Sequence, residues 1–73
     1  MNYYKRIKDL REDNDLNQKD IADLLQTSQS YYAQYENGHR QIPIDRLIIL
    51  ADFYHVSLDY LTGRTDNPEN PNL

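Results

Sequence analysis

The chain has no cysteine, and only two glycines and three prolines in 73 residues. Without cysteine there is no disulfide to brace the fold and no thiolate to hold a metal, which fits a reducing, cytoplasmic setting. Long apolar runs are also missing. The longest, Leu47 to Ala51, spans five residues, far below the roughly 18 needed to cross a bilayer. No membrane partner is expected. The opening Met1-Asn2-Tyr3-Tyr4-Lys5-Arg6 leads into an amphipathic segment rather than the apolar centre of a leader. No internal repeat and no strand-like alternation occur.

Positive charge is scarce. Eight Lys and Arg face twelve Asp and Glu, for a net charge of −4. The imbalance is uneven: residues 1–40 carry six cations against seven acids, and residues 41–73 carry two against five. The first half is near neutral, so an anion-binding face is feasible there despite the sum. A chain this short forms one domain and buries only about 60% of its unfolded surface.

What is present is helical periodicity with clear punctuation. Tyr3, Ile7 and Leu10 recur at helical spacing within Tyr3–Asp13, with Lys5, Arg6, Lys8 and Glu12 on other faces. Asn14-Asp15 is turn chemistry. Asn17 can cap a second helix, with Asp20 in its first turn favouring the helix dipole. Gln26-Thr27 reads as a tight turn, and Ser28 caps a third helix expected over Gln29–Asn37. Tyr32 and Tyr35 face the core of that helix. Gly38 is a natural left-handed stop. Pro43 precedes a fourth helix, Ile44–Tyr54, with Leu47, Ile48, Leu50, Ala51 and Tyr54 available for burial. His55 ends it. Ser57 caps a short fifth helix, Leu58–Leu61, stopped by Gly63. The expected organisation is an ordered domain over 1–64 and a polar, flexible tail over 65–73, rich in Asn and Pro.

Two short helices, each with an N-cap and joined by a tight turn, form the local pattern of a helix-turn-helix. In such a unit the second helix enters the DNA major groove, N-terminal half foremost. Gln29 and Gln34 can each present a bidentate amide to adenine N6 and N7, worth about 1–3 kcal/mol of discrimination per pair. Ser30 donates or accepts. Tyr31 can offer its hydroxyl to a phosphate or its ring to a thymine methyl. Arg40 is the main basic candidate, with Lys5, Lys19 and Arg46 behind it.

Four segments together resemble the phage Cro/repressor-type helix-turn-helix proteins, the XRE family. They are Ile7-Lys8-Asp9-Leu10-Arg11, Leu16-Asn17-Gln18-Lys19-Asp20-Ile21-Ala22, Tyr35-Glu36-Asn37-Gly38-His39-Arg40, and Leu50 through Leu61. The resemblance covers about residues 3 to 64. It implies an all-α, lambda-repressor-like bundle of five helices and a DNA-binding transcriptional regulator, expected to be a repressor. By this resemblance Gln18 touches a DNA phosphate, and Gln29, Ser30 and Gln34 reach base edges with Tyr31 beside them. Asn37, Gly38, His39 and Arg40 match the loop that follows the DNA backbone, and Arg11 and Glu36 match an ion pair tying helix 1 to helix 3; Ser28 is a further candidate for phosphate contact. The chain departs from the family pattern at Gln26, often glycine, and at Ala33, often serine. A non-glycine residue is thus expected in a left-handed conformation at the turn.

One recognition helix covers little DNA, so a two-fold homodimer on double-stranded DNA is expected. Phe53, Val56, Leu58, Tyr60 and Leu61 are its candidate contacts, some of which must instead serve the core. A second reading stays open: an antitoxin-like module that binds a protein partner, which the acidic second half favours. No enzyme is expected. Ser30, His39 and Asp45 lack any nucleophile elbow around the serine. His39 and His55 have no acidic neighbour at ligand spacing, so neither a metal site nor a cofactor is expected.

Overall fold

In the computed structural model, which describes residues 3–69, the chain folds into five helices. They are α1 (Tyr3–Asp13), α2 (Gln18–Leu24), α3 (Gln29–Glu36), α4 (Ile44–Tyr54) and α5 (Leu58–Leu61). No strand occurs among the described residues, and no helix there is long and apolar enough to cross a membrane.

The helix starts follow from side-chain caps. Asn17 accepts from the Asp20 N–H at 2.8 Å, and the Asp20 carboxylate accepts from the Asn17 N–H at 2.9 Å, closing a capping box. Ser28 and Ser57 accept from the amides of Tyr31 and Tyr60, at 3.1 and 3.0 Å. Pro43 precedes α4 without a side-chain cap. The stops are more unusual. Gly38 takes a φ of +75°, and a Cβ there would meet the Tyr4 ring at 3.0 Å. Three non-glycine residues also adopt left-handed backbone: Asp15 (φ 57°), Gln26 (58°) and His55 (58°). The left-handed Gln26 expected from the missing turn glycine is therefore observed. Its turn is closed by the Thr27 N–H donating to the Ala22 carbonyl at 2.9 Å.

The core draws on every helix. Ile7, Ile21, Tyr32, Tyr35, Leu50 and Leu61 are its largest fully buried side chains. Small Ala22 lies where α2 and α3 pack together. α1 packs on α3 and α5, and α4 packs on α5. Helix α3 ends at Glu36, with Asn37 as its C-cap rather than its last turn.

Three expectations change. Ile48 is exposed, because α4 turns it outward with Ile44, Ile49 and Phe53. Val56 and Leu61, candidate dimer contacts, are instead core residues at 6% and 0% exposure. Each faces inward beside the α4–α5 junction, where no partner can reach it without opening the fold. Of the expected tail, residues 70–73 lie outside the described residues. The preceding stretch touches the body: the Ser57 N–H donates to the Pro68 carbonyl at 3.3 Å. Arg6 donates to the Tyr60 carbonyl at 3.1 Å and to Asp66 at 3.3 Å.

Candidate nucleic-acid interface

The exposed side of the α2–α3 pair begins with a shallow concavity lined by Gln18, Ser28, Gln29, Ser30 and Ala33. These five residues come from the first turns of α2 and α3, the Ser28 cap and the middle of α3. Gln29 and Ser30 are exposed, in the first turn of α3. The Ser28 hydroxyl lies 3.4 Å from that of Ser30. Ser28 accepts from the Tyr31 amide, and either hydroxyl can be the donor in its contact with Ser30.

Behind this surface lies a buried ion pair. Arg11 Nε and Nη2 donate to Glu36 Oε2 and Oε1 at 2.7 and 3.1 Å, a bidentate geometry. Nη1 of the same guanidinium donates to the Leu16 carbonyl at 2.8 Å. The Glu36 side chain is 1% exposed. Burial opposes its charge, but the hydrogen bonds from Arg11 and Gln18 overcome that, leaving its carboxyl below the usual carboxylate range. The Arg11 guanidinium is held above its ordinary value by Glu36 against the opposing effect of burial.

Gln18 Nε2 donates to Glu36 Oε1 at 3.2 Å. An amide nitrogen carries two protons. One is committed to Glu36, which fixes the side chain, and the other remains for a ligand. The ion pair therefore aims Gln18 as well as joining α1 to α3.

Tyr32 packs against this pair, and burial, followed by the nearby Glu36 carboxylate, pushes its hydroxyl well above the ordinary tyrosine range. Tyr54 is raised too, chiefly by burial. Neither buried hydroxyl has a partner within good hydrogen-bond geometry.

The far end of α3 carries the basic residues. Gln34 is half-buried, and its Oε1 accepts from Arg40 Nε at 3.3 Å. The His39 and Arg40 amides both donate to the Gln34 carbonyl, at 3.0 and 3.2 Å, so the loop after Gly38 folds back on the helix. Asn37 and His39 are exposed on it. The Arg40 guanidinium lies 4.6 Å from the centre of the Tyr31 ring. Arg46 donates to the Tyr35 hydroxyl at 2.7 Å. This last contact joins residues on different helices, and periodicity alone gave no sign of it. Lys5 and Lys19, two of the lesser basic candidates, are paired with Asp9 and Asp23 on their own helices at 2.9 and 3.1 Å.

Comparison with known proteins places this geometry. A helix-turn-helix family model matches residues 7–61. The chain belongs to the helix-turn-helix family, of the Cro/repressor (XRE) type. It is 37% identical over 67 residues to the HTH-type transcriptional regulator YobD of Bacillus subtilis, covering 92% of this chain and 60% of that protein. It is 33% identical to the regulator ImmR of the same organism, covering 90% of this chain and 52% of ImmR. It is 30% identical to the cryptic phage CTXphi transcriptional repressor RstR of Vibrio cholerae, covering 88% and 58%. The chain thus spans little more than half the length of these relatives. A crystal structure of a transcriptional regulator from Listeria innocua superposes with a TM-score of 0.82 at 28% identity, covering 96% of this chain and 65% of that one.

Proposed function

We propose that this helix-turn-helix chain is a sequence-specific DNA-binding transcriptional repressor that inserts α3 into the major groove. The observation that carries this reading is the surface of Gln29, Ser30 and Gln34 on α3, flanked by Gln18 and Ser28 at one end and Arg40 at the other. Neutral amides and hydroxyls suit base edges, and the flanking donors suit phosphates. Gln29, Ser30 and Gln34 read bases, with Tyr31 at their margin. Gln18, Ser28, Asn37, His39 and Arg40 hold the backbone. The names of YobD, ImmR and RstR as regulators or repressors support the same reading.

The protein acts as a homodimer, with half-sites about 34 Å apart on a pseudo-palindrome. Phe53, at 43% exposure, is one of four apolar side chains exposed on α4, with Ile44, Ile48 and Ile49, and these support pairing. Leu58 and Tyr60 contribute less, being half-buried in the protomer. The same face favours the second reading, in which it receives a protein partner as an antitoxin-like module does.

Fluorescence-anisotropy titration against DNA from upstream of this protein's own gene tests the proposal. Specific binding that weakens steeply with salt, and is lost in Gln29→Ala/Gln34→Ala with the fold intact, is the expected result. Specific binding that survives in this double variant overturns the assignment of α3.

A further inference from the structure

We propose that Arg40 and Arg46, gathered around the Tyr31 ring, form a two-guanidinium clamp on a single phosphate of the DNA backbone. Tyr31 is then a positioning residue for the clamp and not a reader of bases. The inference rests on the DNA-binding reading above.

The observation behind it is how this acidic chain spends its few cations. Lys5, Arg6, Arg11, Lys19 and Arg64 are paired with Asp9, Asp66, Glu36, Asp23 and Asp59. Among the described residues, Lys8, Arg40 and Arg46 have no carboxylate partner within salt-bridge distance. Instead the two arginines flank the Tyr31 ring, Arg40 at 4.6 Å and Arg46 at 5.9 Å from its centre, with Arg46 also 6.0 Å from the centre of the Tyr35 ring. Both distances from Tyr31 fall within the range in which a ring face attracts a cation.

The ring itself is held. Tyr31 meets Tyr35 edge to face at 5.6 Å and 84°, and Tyr35 is 1% exposed, so the platform is anchored in the core. Each guanidinium is steadied by one further contact: Arg40 donates through Nε to Gln34, and Arg46 through Nη1 to the Tyr35 hydroxyl. A guanidinium carries five N–H donors. Most of those on both groups are left for an outside acceptor.

Two uncompensated positive charges beside one ring repel each other, and an anion between them removes that cost. Arg46 also sits in the first turn of α4, where the helix dipole disfavours a cation and welcomes an anion. A phosphodiester suits the corner because it offers two acceptor oxygens, one for each fork. The corner adjoins Gln34, so a duplex seated on α3 brings its backbone there. The Tyr31 ring, committed to both arginines, is not free to lie against a thymine methyl.

The test is the salt dependence of binding, measured by anisotropy on the full chain. The probes are a random-sequence duplex and the duplex from upstream of its own gene. Wild type, Tyr31→Phe, Tyr31→Leu and Arg40→Gln/Arg46→Gln are compared, with melting curves to confirm the fold. One phosphate contact contributes about 0.9 to the slope of log affinity against log salt. The double arginine variant should therefore lower the slope by about 0.9, so that a fourfold rise in salt costs it about threefold less affinity than wild type. Tyr31→Leu should move in the same direction and weaken both duplexes alike, whereas Tyr31→Phe, which keeps the ring, should match wild type. A slope loss of about 1.8 in the double variant means two separate phosphates and overturns the shared clamp. A change of preference between the duplexes in Tyr31→Leu, at unchanged slope, makes Tyr31 a base reader and overturns its positioning role. Wild-type binding with the same slope in every variant overturns the clamp and leaves the DNA reading standing. Failure of wild type to bind any duplex overturns both.

Discussion

Replacing Glu36 by Gln tests whether the buried ion pair that joins α3 to α1 holds the fold. The substitution keeps the shape and removes the charge. Arg11, whose side chain is 11% exposed, then holds a guanidinium against a neutral amide. Removing one partner of a buried pair costs about 3–5 kcal/mol, mostly because the remaining charge is left uncompensated. The carbonyl of Leu16 still accepts from Arg11 at 2.8 Å, which places the expected loss near the lower end, about 3 kcal/mol. At about 0.05–0.15 kcal/mol per residue, a chain of this length has a total stability of about 4–11 kcal/mol, so the loss is severe. Urea unfolding followed by circular dichroism reads it directly. Removing both charges, in Arg11→Met/Glu36→Leu, should recover most of the loss, since no orphaned charge remains. A loss below about 1 kcal/mol in Glu36→Gln, the value of an exposed pair, would refute the reasoning. Acid should reveal the same pair in the wild type. The folded Glu36 carboxyl lies below its ordinary value of 4.5. Its stabilising contribution is therefore complete above that value, and it is lost as pH falls through the folded pKa. Glu36→Gln should lack this part of the acid limb.

The remaining predictions are local. Gln26→Gly should raise stability by about 0.5–1 kcal/mol in urea unfolding, because it relieves left-handed strain that exceeds the added unfolded-state freedom; destabilisation would show that the Gln26 side chain contributes something the turn needs. Tyr54→Phe should raise the melting temperature, or leave it unchanged, since it removes a buried hydroxyl without a partner; a loss above about 1 kcal/mol would show that the hydroxyl is satisfied. Phe53→Asp should leave the protomer folded and shift sedimentation toward monomer, because Phe53 is exposed on the apolar face of α4. An unchanged sedimentation profile would refute pairing through Phe53.

The helix starts were legible because the residues that make them are neighbours in sequence. Asn17, Ser28 and Ser57 each cap a helix through an amide three residues on, and that pattern needs no knowledge of the rest of the chain. The burial of Tyr32 and Tyr35 followed from helical spacing, and the Arg11–Glu36 pair from the resemblance to a family. What periodicity could not supply were choices made between distant elements. The apolar residues of α4 outnumber the places the core offers, so Ile48 faces out, while Val56 and Leu61, beyond α4, turn in. Arg46 looked like an ordinary surface cation until the fold brought it to Tyr35. Gln18 matched a phosphate-binding position, but the use of its second proton on Glu36 emerges only from the three-dimensional arrangement.

The seam at Arg6 bears on how the chain opens. Arg6 reaches across 54 positions to the Tyr60 carbonyl, and its guanidinium covers the Tyr60 ring at 4.1 Å. Residues α2 and α3, by contrast, are joined by a short turn and pack chiefly on each other. Closing the seam requires the two ends of the fold to meet, whereas the α2–α3 pair is assembled from near neighbours. The α2–α3 pair packs more extensively than the four-residue α5 does, so the amides of α5 should exchange with solvent first. The surface proposed to meet DNA should then keep its protection while the other end of the domain opens to solvent and to proteases.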